Sequence, residues 1–332
     1  MSLAPEPARA LLQTLDALAA RHEGRVLAHG AAMLDRSTIL SAAGFNGMTL
    51  AAPSAIGERL GPGATAGGAI VLSNDPHAGG ADLNHLFLVA NAGSPQRHCV
   101  AALAFQDFGA MRKDVFRRRP ETYHEGLSLS LLSADWSGSD RDIVLGVIAA
   151  NIRHGAAMRA VIDEAARAIV AAAANAAAMY PRGDPAPELI AGAGEGHVTV
   201  GEASNVAISA SLRILPAAAM DDPASGVTNL QITLRLVGNG VAQIRRCAES
   251  SARSAAVLGI ADALGAPWQS VLPATCVDAR AICATPPEAV GDGLACAYAC
   301  YRAAFTAVGD LPLAIARTPR EPTGLIGRLD AS

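Results

Sequence analysis

A chain of 332 residues, 51% of them hydrophobic, is long enough to bury one large core or two lobes, which excludes disorder over most of its length. A net charge of −4 and an isoelectric point near 6.1 give no positive field to collect nucleic acid or an anionic bilayer, leaving small molecules and proteins as partners. Aromatic residues are only 4%, so Leu, Val, Ile and close-packed Ala must fill the core.

The first predicted element is an amphipathic surface helix in which Leu11, Leu15 and Leu18 share one face. Acidic residues and two prolines at the start of the chain argue against a secretory leader. Residues 25–60 mix short apolar runs with Gly and Pro and read as α+β. GPGATAGG (61–68) is a turn ahead of the strand AIVLSN (69–74); it has neither a GK[ST] nor a GxGxxG pattern, so it lacks the positioning lysine and nest of a phosphate loop. HLFLVANAG (85–93) and HCVAALAFQDFG (98–109) read as two strands around the turn AGSPQ. The basic run MRKDVFRRR (111–119) reads as a solvated face, and FRRRPETYHEG (116–126) as a charged loop.

Residues 141–180 form a long helical stretch of two helices ending at Pro181. Its most apolar window, AIVAAAANAAAMY, is shorter than the roughly 20 residues a membrane-spanning helix needs, so no membrane segment is expected. From Gly196 onward, HVTV, NVAISASLRIL, NLQITLRLVG and GVAQIRRC alternate with period two as strands. Helices follow at ESSARSAAVLGIADALG and DGLACAYACYRAAFTAV. The expected class is α+β, with mixed helices and mainly antiparallel sheets. The expected division is a helix-rich lobe over 1–185, a strand-rich lobe over 186–312 and a tail over 313–332.

Six cysteines (Cys99, Cys247, Cys276, Cys283, Cys296, Cys300) are scattered without any CxxC, which reads as reduced, mostly buried thiols in a soluble, cytoplasmic protein. Cys296 and Cys300 share a helical face; core packing is the preferred reading and ligation the alternative.

The densest group of chemically capable residues is Asn74, Asp75, His77, Asp82 and His85, set around Gly79 and Gly80. A divalent ion takes carboxylate oxygen and imidazole nitrogen, and a Gly-Gly turn lets the chain fold back so that Asp75 can approach Asp82 and His85. Asp82 and His85 would share one face of a helical turn. The alternative is that Asn74 and Asp75 cap turns, Asp82 begins a helical turn and the histidines make ordinary hydrogen bonds. A metal would need a further ligand, for which Asp107, His98 and His124 are candidates. No GxSxG elbow is present, and no cysteine stands in a local setting that lowers its pKa. Asp107 with Glu125 is a weak acid–base pair, and no residue is assigned as catalytic.

NDPHAGGADLNH resembles the hydantoinase B signature, approximately NDPYxGGTHxxD, of N-methylhydantoinases, oxoprolinases and the acetone and acetophenone carboxylases. In the same order, YHEGL is similar to that family's EGL segment, RDIVLGVIAANIRHG to its D-L-x-A-Q-x-A-A-N-x-x-G helix and CATPPEAVGDG to its N-x-x-P-A-A-V segment. The resemblance covers most of residues 10–310 and implies a hydantoinase B-like scaffold in truncated form.

The resemblance further implies a heteromeric enzyme in which ATP is bound by a hydantoinase A-type partner subunit, beside a larger hydantoinase B-type subunit. It implies a divalent metal at Asp75, Asp82 and His85, with the downstream histidine segment falling on AFQDFG. Here the signature's His and Asp are exchanged and the downstream histidines are replaced by Ala104 and Phe105, while Asp107 remains; the expected metal set is incomplete. The implied role is that of the small subunit of an ATP-dependent acetophenone carboxylase, whose complex joins bicarbonate to an aromatic ketone. A metal-dependent hydrolase of hydantoins or other cyclic amides, and a non-catalytic assembly or regulatory subunit, are the alternatives.

Overall fold

The computed structural model describes residues 6–22, 26–47, 49–105, 126–152, 154–179, 194–195, 199–203, 206–215, 229–236, 247–266, 268, 271–272, 275–284 and 294–309. It divides into two compact units, the first formed by Met1–Gly183 with Thr285–Ala289 and the second by Asp184–Ala284 with Val290–Ser332. Asp107, His124, Glu125, the basic run, the GVAQIRR stretch, most of CATPPEAVGDG and the tail lie outside the described residues.

In the first unit a helix, α1 (Glu6–Ala20), precedes an antiparallel hairpin of β1 (Val26–Asp35) and β2 (Thr38–Ala43). After α2 (Ala52–Arg59) come β3 (Ala69–Ser73), β4 (His85–Asn91), β5 (Arg97–Phe105) and β6 (Leu132–Asp135), then helices α3 (Asp140–Asn151) and α4 (Gly155–Met179). The strands form one antiparallel sheet in the order β2-β1-β5-β4-β3-β6. The period-3.6 stripe of α1 packs Leu11, Leu15 and Leu18 into a core with Leu86 and Leu88 of β4, Leu103 of β5 and Val161, Ile162 and Ile169 of α4. Residues 86–90 of β4 are all buried, so this strand has cover on both faces, and that is why HLFLVA reads as a continuous apolar run without alternation.

α3 and α4 are tied together by Asp163 on α4. Its carboxylate accepts two hydrogen bonds from the Arg141 guanidinium at 2.8 and 3.0 Å, one from Trp136 Nε1 at 3.2 Å and one from Arg167. Among the described residues no helix is long and apolar enough to cross a membrane.

In the second unit, β7 (Gly194–Glu195), β8 (Thr199–Ala203), β9 (Val206–Leu215), β10 (Asn229–Leu236) and β11 (Thr275–Asp278) build a sheet that is antiparallel except for the β10–β11 pair. Ile208, Ala210, Leu212, Leu230, Ile232 and Leu234 are buried, while the intervening residues are half-buried or exposed: one face is core and the other is not. Helices α5 (Glu249–Leu264) and α6 (Leu294–Gly309) pack on each other, and α6 packs on β8 and β9. α5 is buried almost all round from Ser250 to Ala261, consistent with its small side chains. A Cβ at Gly259 would lie 2.4 Å from the Tyr301 carbonyl oxygen and 3.0 Å from the Phe305 nitrogen, so only glycine lets the two helix backbones approach this closely. Gly259→Ala is expected to cost about 1–3 kcal/mol through overpacking, read as a lower urea midpoint at unchanged m.

The α+β class with mainly antiparallel sheets is therefore observed.

Candidate active site

The signature segment leaves β3 at Asn74 and re-enters the sheet at His85. Asn74 is fully buried and is spent on backbone groups. Its Nδ2 donates to the carbonyls of Leu83 at 2.8 Å and Leu127 at 2.9 Å, and its Oδ1 accepts from the Leu129 N–H at 2.6 Å. The backbone N–H of Asn74 also donates to Leu129 O at 3.0 Å. One amide thus binds the return of the signature loop to the stretch that follows YHEG, so two motifs 53 residues apart meet through this side chain.

Asp75 faces its own turn. Its carboxylate accepts the N–H of His77 at 2.8 Å, capping a 3-10 turn that begins with Pro76, whose missing N–H is no loss at the first helical position. The turn ends at Gly79 with φ of 97°, where a Cβ would also meet the backbone of Ala55 and Ile56 at 2.9 Å. Two independent constraints therefore require glycine there.

Asp82 and His85 come together as the spacing suggested, but on a turn leading into β4. Asp82 Oδ1 accepts from the Asn84 N–H and from His85 Nδ1, both at 2.8 Å. Burial pushes the Asp82 carboxyl up, yet the charge and hydrogen bond of His85 and the N–H groups of Asn84 and His85 outweigh it, leaving its pKa below the ordinary carboxylate value. With Asp82 ionised, His85 must donate from Nδ1, which directs Nε2 away from the carboxylate as the dyad's reactive nitrogen.

The third member is His29, which the sequence reading did not single out. The β1–β5 register passes from Ala28 opposite Leu103 to Gly30 opposite Ala102, so His29 is the extra residue of a β-bulge. Bulges re-aim a side chain, and this one sets the His29 ring edge-on to His85 with centroids 4.4 Å apart and to Phe45 at 6.3 Å. Thr49 Oγ1 donates to Asn46 Oδ1 at 3.1 Å and accepts the Asn46 N–H at 3.3 Å, so the 2.5 Å contact with His29 assigns the donating proton to His29 Nε2 and the lone pair to Nδ1. Burial first, then the neighbouring His85, lowers the His29 pKa to about 3 despite the attraction of Asp82. The HisGly pair inside an apolar strand was the available signal, since Gly within a strand marks bulges.

This sets a pH dependence. The His29 pKa falls from 6.5 to about 3 on folding, so between those values the unfolded chain holds a proton that the folded chain lacks. The stabilisation is complete above pH 6.5 and is lost as pH falls toward 3, by up to about 1.4 kcal/mol per pH unit. Asp82, also lowered, adds a loss in the same direction at more acidic pH. Urea midpoints at pH 7 and pH 5 should diverge in the native chain and converge in His29→Gln.

The other sequence candidates stand apart. His98 is buried, with its Nδ1 3.4 Å from Thr65 Oγ1. It pairs with Asn91, whereas His85 pairs with Ala104, six residues or about 20 Å along β5, so His98 serves the opposite end of the sheet. Among the described residues no three His, Cys, Asp or Glu side chains are arranged to hold a metal ion. Asp75 is engaged by its turn, and Asp82 and His85 by each other. What the arrangement offers directly is a carboxylate–imidazole dyad beside a neutral histidine.

No protein-family model and no curated protein matches the sequence. Among solved structures, the crystal structure of ATP-dependent caprolactamase from Pseudomonas jessenii superposes with a TM-score of 0.58 at 14% identity, over 90% of this chain and 58% of that one. A nucleotide-free acetone carboxylase structure gives a TM-score of 0.49 at 10% identity, over 79% of this chain and 40% of that one. This chain thus spans a little over half the length of the caprolactamase chain, and what they share is the fold: an α+β scaffold found in an ATP-dependent caprolactamase.

Proposed function

We propose that this chain is a subunit of a heteromeric ATP-dependent enzyme that acts on a carbonyl compound, with ATP held by a hydantoinase A-type partner and a larger hydantoinase B-type subunit alongside. The observation that carries this reading is the fold likeness over 90% of the chain to an ATP-dependent enzyme. It is supported by the signature segment, whose Asn74, Asp75 and Gly79 shape the loop that presents the Asp82–His85 dyad. The step from fold to reaction is analogy, since one scaffold hosts several chemistries.

In the first reading the substrate is an acetophenone-like ketone carboxylated with bicarbonate. His85 Nε2 takes a proton from the carbon next to the carbonyl, and Asp82 holds the ring and stabilises the imidazolium that forms. In the second, favoured by the caprolactamase likeness, the substrate is a cyclic amide, and the same nitrogen takes a proton from the attacking water.

The test is reconstitution. The purified chain, added to partner subunits lacking it, should raise ATP turnover that depends on substrate. Acetophenone with bicarbonate and caprolactam, assayed in parallel, separate the two readings. Full turnover without this chain would overturn the subunit role. An assembly role alone predicts that alanine at both Asp82 and His85 leaves turnover intact.

A further inference from the structure

The second unit contains a feature that the proposed reaction does not use. Cys247, Cys283, Cys296 and Cys300 come from three separate segments and are all buried, three of them with no exposure. Cys247 and Cys283 face each other in an isolated parallel β-bridge, and Ala284 N–H donates to Cys247 O at 3.0 Å. Cys296 and Cys300 lie one turn apart on α6. The Cys247 thiol is within hydrogen-bonding contact of the other three, and Cys296 and Cys300 contact each other. Filling a core requires no such arrangement; Ala and Val would serve, as they do elsewhere in α5 and α6. The remaining thiols provide a contrast within the chain: Cys276 is exposed and Cys99 is buried in the first unit's sheet.

We propose that this four-thiol cluster is an oxidative modification site at which a hydroperoxide converts Cys247 and one neighbouring cysteine into an internal disulfide. The electrostatics suit a first attack by Cys296. Hydrogen bonds from Cys247 and Cys300 lower its pKa, whereas Cys247 is raised by its contacts with Cys283, Cys296 and Cys300 and by burial, and in Cys300 the lowering contact with Cys247 is outweighed by Cys296 and by burial.

The Cys296 thiolate attacks one peroxide oxygen, the O–O bond breaks, and the departing alkoxide or hydroxide takes a proton to leave as alcohol or water. The sulfur of Cys247 then attacks the sulfenic sulfur, an S–S bond forms, and the S–O oxygen leaves as water with the Cys247 proton. Two thiols are oxidised by two electrons and the peroxide is reduced by two. A hydroperoxide is small enough to enter through local opening of the packed helices, while a bulky reagent is not.

The experiment uses the full chain carrying Cys276→Ser, so that the exposed thiol makes no side products. A bulky maleimide should leave the folded protein unlabelled. After hydrogen peroxide treatment the expected result is an intact mass lower by two hydrogens per disulfide formed; alkylation in denaturant should then modify two fewer cysteines, and digestion should release a cross-linked peptide containing Cys247. A dithiol reductant should reverse all three changes, and Cys247→Ala should abolish the cross-link. Peroxide treatment that leaves Cys247 alkylatable would overturn the proposal. So would a stoichiometric metal ion found with the untreated chain, because ligated thiolates would then explain the cluster. None of these outcomes depends on ketone, amide or ATP.

Discussion

Asn74→Ala should destabilise the first unit by roughly 3–5 kcal/mol, the largest effect expected of any substitution in the signature segment. The substitution removes one side chain and orphans three backbone groups: the carbonyls of Leu83 and Leu127 and the N–H of Leu129. A buried polar group left unpaired costs about 1–3 kcal/mol, and Asn74 has no exposure through which water could replace it. Asn74→Asp should be comparably damaging, because a carboxylate oxygen would face the Leu83 and Leu127 carbonyls in place of an N–H donor. Chemical denaturation with the transition followed by circular dichroism reads the loss. A midpoint unchanged from the native chain in both variants would show that the loop is held by other contacts.

That residue also shows what the sequence disclosed and what it hid. The NDPHAGG segment stood out as dense in ligand types, and turn-capping was the alternative for Asn74 and Asp75. The structure gives capping to Asp75 and a long-range staple to Asn74. Local chemistry predicts a cap because the partner lies two residues away; no local rule discloses a partner 53 residues away. Asp82 and His85 were legible for the opposite reason, their contact being local.

Other losses have similar causes. β4 and β5 were legible because their apolar runs exceed what a turn can hold. The β1–β2 hairpin was not, because AHGAAM carries small residues of weak strand preference and its turn passes through Arg36 at φ of 55° without a glycine to announce it. Along the sequence Cys296 and Cys300 form a helical pair and nothing more. Their contact with Cys247 is set by how α6 packs in its unit, which spacing along the chain does not encode. His29 is a further case: a histidine in an apolar strand has a bland reading until the cross-strand register shows it as the bulged residue beside His85.

His85→Ala should lower substrate-dependent turnover of the assembled complex by roughly 10²–10⁴-fold, the range a positioned general base supplies. Assembly should be unaffected, since the ring is only 17% exposed and its contacts with Asp82 and His29 lie within this chain. Asp82→Asn keeps the shape and a hydrogen bond to the ring but removes the charge that stabilises the developing imidazolium, so its loss should be the smaller. A proton-transfer role makes a demand that a structural role does not: added imidazole should restore part of the His85→Ala activity by occupying the vacated space beside Asp82, and should do nothing for Asn74→Ala. Steady-state turnover with and without imidazole, alongside gel filtration of each reconstituted complex, decides it. Equal activity of His85→Ala and the native chain would remove the dyad from the chemistry and leave this chain a scaffold.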